Sequence, residues 1–176
     1  MTLDPFDLPT GIAMATACMA CVTDLRMRRV PNVLTFSSAA LGIAAHGWQA
    51  GLNGLAWSVG GCALGLLLFL PLFALRGLGG GDVKLLAAFG ANVGPRLVIW
   101  TALYGAIVGG VAAVLVALSA GVFARTFGNV RFILSHWRVA GVRPVDGFTL
   151  GDSASPRLAY AVPLACGLAG ALWLRS

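Results

Sequence analysis

Long apolar runs alternate along the chain with short polar gaps, and the lengths of those runs set its class. The runs extend over Leu8 to Thr23, Val33 to Trp48, Leu55 to Leu75, Val83 to Val93, Leu97 to Val122 and Leu158 to Leu174. Most approach the ~20 residues that a helix needs to cross the hydrocarbon core of a bilayer. The pattern predicts an all-α polytopic membrane protein with about six transmembrane helices. The fourth run is short and opens on glycines, so it reads as a helix whose irregular start is tolerated because protein or a cavity covers it. The longest polar stretch, Ala124 to Arg157, is too short for a second folded unit, so residues 1–176 read as one integral membrane domain. Within the loop at about 123–157, Phe127, Val130, Ile133, Leu134 and Trp137 share one side of a helical wheel, with Arg131 and Arg138 beside them. That spacing predicts an amphipathic helix lying on the membrane surface.

Composition agrees with this class. Of 176 residues, 59 % are hydrophobic and only 10 % charged, which excludes an ordinary soluble domain. A net charge of +6 would suggest nucleic acid as partner of a soluble protein, but here the basic residues follow topology and no nucleic-acid role is expected. Arg26, Arg28 and Arg29 separate the first two runs, Arg76 and Lys84 the third and fourth, and Arg125, Arg131, Arg138, Arg143 and Arg157 the last two. The positive-inside rule places those ten in the cytoplasm and both termini outside, with Arg96 and Arg175 on the outer side. Asp4 and Asp7 precede the first run without a basic neighbour, so the start does not read as a secretory leader. Cys18, Cys21, Cys62 and Cys166 fall inside apolar runs, where cysteine behaves as a small hydrophobe. The "CMAC" at 18–21 is half of a zinc spacing with no second half, so neither metal nor cofactor is expected.

The unusual chemistry is acidic. The six acidic residues are all aspartates, and two of them, Asp24 and Asp82, stand at the edges of apolar runs that two predicted crossings bring back to one membrane face. Asp82, after "GLGGG", is compatible with a plain helix N-cap. Asp24 at a helix C-terminus opposes the helix dipole by about 0.3–1 kcal/mol, unless Arg26 or Arg28 offsets it as a surface ion pair. Gly79, Gly80 and Gly81 match no phosphate-cradling pattern. They are expected to adopt positive φ and to let an extended segment approach Asp82 closely. Two carboxylates in one poorly solvated site share a proton, so the pair is acid and base at once. Such a pair can activate water against a peptide carbonyl without a metal or a covalent nucleophile. No H-E-x-x-H, G-x-S-x-G or Cys/His pair offers another hydrolytic route.

At these residues the sequence resembles the type IV prepilin peptidases, aspartic intramembrane proteases marked by a G-x-G-D motif. "GGGDVKLLAA" (Gly79 to Ala88) and "DLRMRRVPN" (Asp24 to Asn32) match the two catalytic regions, and "PRLAYAVPLACG" (Pro156 to Gly167) is similar to a later Pro-Tyr-Gly region, with Ala161 in place of the glycine. The resemblance implies that Asp24 and Asp82 are catalytic and that the substrate is a prepilin or pseudopilin held in the membrane. It also implies cleavage of a short basic leader at the cytoplasmic face of the inner membrane. Arg26 to Asn32 leads almost directly into the second helix, so the cysteine-rich insert of larger members is missing, as in the short Tad/Flp-type and archaeal enzymes. N-methylation of the product is not expected.

Lys84 is expected either to act on the carboxylate pair or a substrate carboxylate, or to snorkel toward the lipid headgroups. His46 near the outer face and His136 on the surface helix are placed away from this chemistry. A competing reading is a small proton-coupled transporter that uses the same aspartates as a relay, which predicts acids near the midplane and access from both faces. A third is a structural subunit, in which asparagine replaces either aspartate without loss.

Overall fold

The structure, a computed structural model, describes residues 8–141 and 159–174. Asp4, Asp7, Arg143, Asp146, Asp152, Pro156, Arg157 and Arg175 lie outside the described residues. Five helices follow in order: α1 (Leu8–Met27), α2 (Asn32–Ala74), α3 (Gly80–Ser119), α4 (Phe123–Ala140) and α5 (Ala161–Trp173). The described residues contain no strand. Helices α1, α2 and α3 are long and apolar enough to cross a membrane, and α5 is a shorter apolar helix. The chain is therefore an all-α membrane protein with three long apolar helices.

The second and third apolar runs share one helix, as do the fourth and fifth. The reason is that Gly and Pro bend these helices sharply while the helical pattern continues on both sides. A straight α2 of 43 residues would extend about 65 Å, twice the hydrocarbon thickness. Instead Ala50 (φ −136°, ψ 16°) and Gly51 (φ 56°, ψ −136°) turn the chain back on itself. A side chain at Gly54 would strike the carbonyl of His46, and one at Gly47 would strike Leu55. Residues eight apart in a continuous helix are separated by about 12 Å along its axis, so these contacts require the reversal. Helix α3 breaks at Gly94 (φ 81°, ψ 176°), just before Pro95. Only glycine fits there, because its φ is positive and the Trp57 indole fills the space a side chain would need.

The short fourth run is the centre of the molecule. Leu85, Leu86, Phe89, Ala91, Val93 and Val98 of α3 are wholly buried, against both halves of α2 and against α1 and α5. Its shortness follows from that position, since a segment wrapped in protein need not match the bilayer. Small residues bring the backbones together. Gly61 meets Gly90 backbone to backbone, Gly65 meets Leu86, and Gly167 of α5 meets Thr101 and Gly105. Helix α4 packs against α3 and leaves Phe127 and Val130 exposed.

A buried polar network closes the central helix. Pro95 has no N–H, so the Ala91 carbonyl loses its intrahelical donor. The Ser58 hydroxyl replaces it at 2.6 Å. The neighbouring Asn92 carbonyl, at the same break, accepts from His46 Nε2 at 2.8 Å. The Asn92 amide in turn donates to the Ser38 carbonyl (3.1 Å) and to Ala88 (2.8 Å), and Ser38 bonds to Thr16 of α1 at 2.8 Å. His46 thus serves packing, as its sequence position away from the aspartates suggests. Ser58→Ala should cost about 1–3 kcal/mol by leaving a buried carbonyl unpaired. Thermal unfolding of the detergent-solubilised protein would show this as a lowered midpoint, and an unchanged midpoint would refute the role given to Ser58.

Candidate active site

Asp24 occupies the last turn of α1, where it ends a stripe of small buried residues, Ala13, Ala17 and Ala20, at helical spacing. That stripe packs α1 closely on its neighbours and carries the carboxylate inward, leaving Asp24 only 7 % exposed. One of its oxygens, Oδ2, accepts the backbone N–H of Ala161, the first residue of α5, at 3.0 Å. The last turn is closed by the Arg28 N–H, which donates to the Asp24 carbonyl at 2.8 Å, with Arg28 left-handed at φ 51°. This is a single-bond helix stop of the kind glycine usually makes.

Asp82 lies in the first turn of α3, and its N–H donates to the Gly79 carbonyl at 3.2 Å. The chain reaches it from α2, whose end is closed by Arg76 N–H to Phe73 O and Gly77 N–H to Leu72 O, both 2.9 Å. Arg76 sits at the left-handed position, φ 55°. The expectation of positive φ at Gly79, Gly80 and Gly81 is corrected here. Gly79 is extended at φ −74°, the next two are helical, and the left-handed residues are the two arginines. Helix length decides which residue falls at the capping position, and it falls on Arg28 and Arg76. The glycines serve space instead: a side chain on Gly79 would come within 3.1 Å of Asp82 Oδ2, one on Gly80 within 3.4 Å of Phe73, and one on Gly81 within 3.4 Å of Val30.

Both carboxylates line one cavity of about 860 Å³, and they are near enough for their charges to interact. Gly79, Gly80 and Gly81 form part of its wall, with Arg28, Arg29, Arg76, Phe73 and Tyr160. Lys84 is not in that wall. Its ammonium donates to Asn32 Oδ1 at 3.0 Å and lies 5.6 Å from the centre of the Phe36 ring, tying the starts of α3 and α2 together. Residues two apart on a helix project to different sides, which separates Lys84 from Asp82. Among the described residues no three His, Cys, Asp or Glu side chains are grouped to hold a metal ion. Three contributions went unread in the sequence: the Ala161 amide, Tyr160, and the arginines as cavity wall. The motif around Tyr160 was the one available signal.

The fold and the site define a class: a helical membrane protein with two aspartates from helix ends facing one cavity. The chain belongs to the type IV leader peptidase family, whose sequence model matches residues 11–114, a stretch that holds both Asp24 and Asp82. It is accordingly an aspartic peptidase that cleaves prepilin leaders. Nothing among curated proteins or solved structures matches the chain.

A left-handed backbone costs a residue with a Cβ about 1–2 kcal/mol, so Arg76→Gly should raise stability by about 1 kcal/mol. Denaturation of the purified variant checks this, and a lower midpoint would show that the guanidinium contributes more than the backbone loses.

Proposed function

We propose that Asp24 and Asp82 are the catalytic pair and that they activate one water between them. The observation that carries this is their position on the wall of a single cavity, brought from the end of α1 and the start of α3. One carboxylate takes a proton from the water, whose oxygen bonds to the carbonyl carbon of the scissile peptide. The other, protonated, gives its proton to the amide nitrogen as the C–N bond breaks. The products are a new carboxyl group and a free amine, and one proton remains on the pair as at the start. The glycine run supports the approach of an extended substrate, because no side chain between residues 79 and 81 stands in front of Asp82.

The topology that suits this chemistry has six crossings: α1, the two halves of α2, the two halves of α3, and α5. The breaks at Ala50–Gly51 and at Gly94 support it. The arginine-bearing ends then face the cytoplasm by the positive-inside rule, with both termini outside, in a multi-pass protein of the inner membrane. A prepilin or pseudopilin with a basic leader on that side presents its cleavage site at the level of the pair. The direct link from Arg28 to Asn32 between α1 and α2 leaves no room for a cysteine-rich insert, which favours the short Tad/Flp-type form without N-methylation.

The test is cleavage of a peptide with a basic leader and an apolar helix by the purified protein in detergent, with and without a chelator. Wild type should cut in both conditions, and Asp24→Asn and Asp82→Asn should each lose roughly 10²- to 10⁴-fold in rate. Equal cutting by all three would sink the mechanism. Gly79→Ala, whose added carbon displaces Asp82 Oδ2 by a few tenths of an ångström, should lower kcat by about tenfold, less than the ~10²-fold that a 1 Å misplacement costs. An undiminished kcat would mean that the Asp82 carboxylate is free to adjust.

A further inference from the structure

Peptide hydrolysis places negative charge on the carbonyl oxygen of the scissile bond, and a carboxylate pair has one proton to share between that oxygen and the leaving nitrogen. A separate donor to that oxygen acts best when it is fixed before the reaction, because it then costs no reorganisation. Among the described residues the cavity offers one uncharged hydroxyl, that of Tyr160. Resting on the catalytic reading above, we infer that the Tyr160 hydroxyl donates a hydrogen bond to this oxygen and stabilises the tetrahedral intermediate.

Three observations carry the assignment. First, Tyr160 is tied to both aspartates. Its neighbour Ala161 holds Asp24 through the 3.0 Å amide hydrogen bond, and Tyr160 is near enough to Asp82 to interact with it electrostatically. Second, the ring is held in place. It lies in the space left by Gly109, where an added carbon would come within 2.8 Å of Cε2, and it packs against Phe69 with centroids 6.1 Å apart at 60°. Third, no described residue hydrogen-bonds the hydroxyl of this tyrosine, which lines the cavity. A phenol fixed on the wall of this cavity is placed to meet a ligand. Tyr160 lies beyond the matched residues 11–114.

The step balances without proton transfer from tyrosine. As water bonds to the carbonyl carbon, the C=O π pair moves onto oxygen and is held by the Tyr160 O–H. As the C–N bond breaks, that pair re-forms the C=O bond and the phenol is left unchanged. The arginines of the wall are long and rotatable, whereas this ring is held by two packing contacts.

Tyr160→Phe keeps the ring on Gly109 and Phe69 and removes only the hydroxyl. In the peptide-cleavage assay it should lower kcat by roughly 10²-fold while KM and the melting temperature stay at wild-type values. A kcat within about threefold of wild type would overturn the inference, as would a raised KM with kcat intact, because the hydroxyl would then bind substrate and transition state alike. A melting temperature that falls together with kcat would assign Tyr160 to packing and overturn it too. Failure of the underlying reading looks different: wild type would then cut no faster than Asp24→Asn, and the inference would fall with it.

Discussion

Inside a bilayer a backbone carbonyl without a donor costs several kcal/mol, and this fold is arranged around the place where its central helix would leave such carbonyls unpaired. The break at Gly94–Pro95 removes the donor from the Ala91 carbonyl beside the fully buried stretch of α3. Ser58 and His46, one from each half of α2, answer at Ala91 and Asn92, and the Asn92 side chain reaches on to Ser38 and through it to α1. The same atoms that repair the break therefore dock the surrounding helices. Because that docking sets the height of α1 against α3, it also sets where Asp24 stands relative to Asp82.

The carboxylates themselves avoid the middle of the helices. Asp24 is in the last turn of α1, Asp82 in the first turn of α3, and the amide that holds Asp24 belongs to the first residue of α5. Helix ends carry unsatisfied backbone groups that hold water, which hydrolysis consumes, whereas a carboxylate in mid-helix against Phe89 or Leu164 would be dry. The two left-handed arginines belong to the same design. Each stops a helix abruptly at the cavity, and a strained residue persists only where the surrounding structure holds it.

Much of this was legible before any coordinates. The apolar runs mark the helical stretches closely, since the gaps at 49–54 and 94–96 are where the backbone departs from helical geometry. The aspartate pair was legible because ionisable groups at membrane edges are rare enough to stand out. What escaped depended on phase and on distance. The merging of runs into kinked helices turns on single φ values at Gly51 and Gly94. The central burial of the fourth run depends on packing that its apolar character alone does not reveal. Lys84 was readable in principle, since a residue two places from Asp82 cannot share its side of a helix. For Tyr160 the sequence offered only the motif around it, because 78 residues separate it from Asp82 and the fold brings them to one wall.

The three glycines before Asp82 show how the sequence encodes this arrangement. They do not bend the chain, because none of them has a left-handed φ. Each position instead faces something a side chain would displace: the Asp82 carboxylate itself, the Phe73 ring at the end of α2, and Val30 in the link from α1. The end of α2 and the α1–α2 link can therefore close on the start of α3 until the first side chain to project from that helix is the carboxylate. Bulk at any of the three would push one wall outward and change the width of the cavity that both aspartates line. Glycine supplies space here more than conformational freedom, so the cost of replacing it should follow the neighbour it strikes rather than its φ.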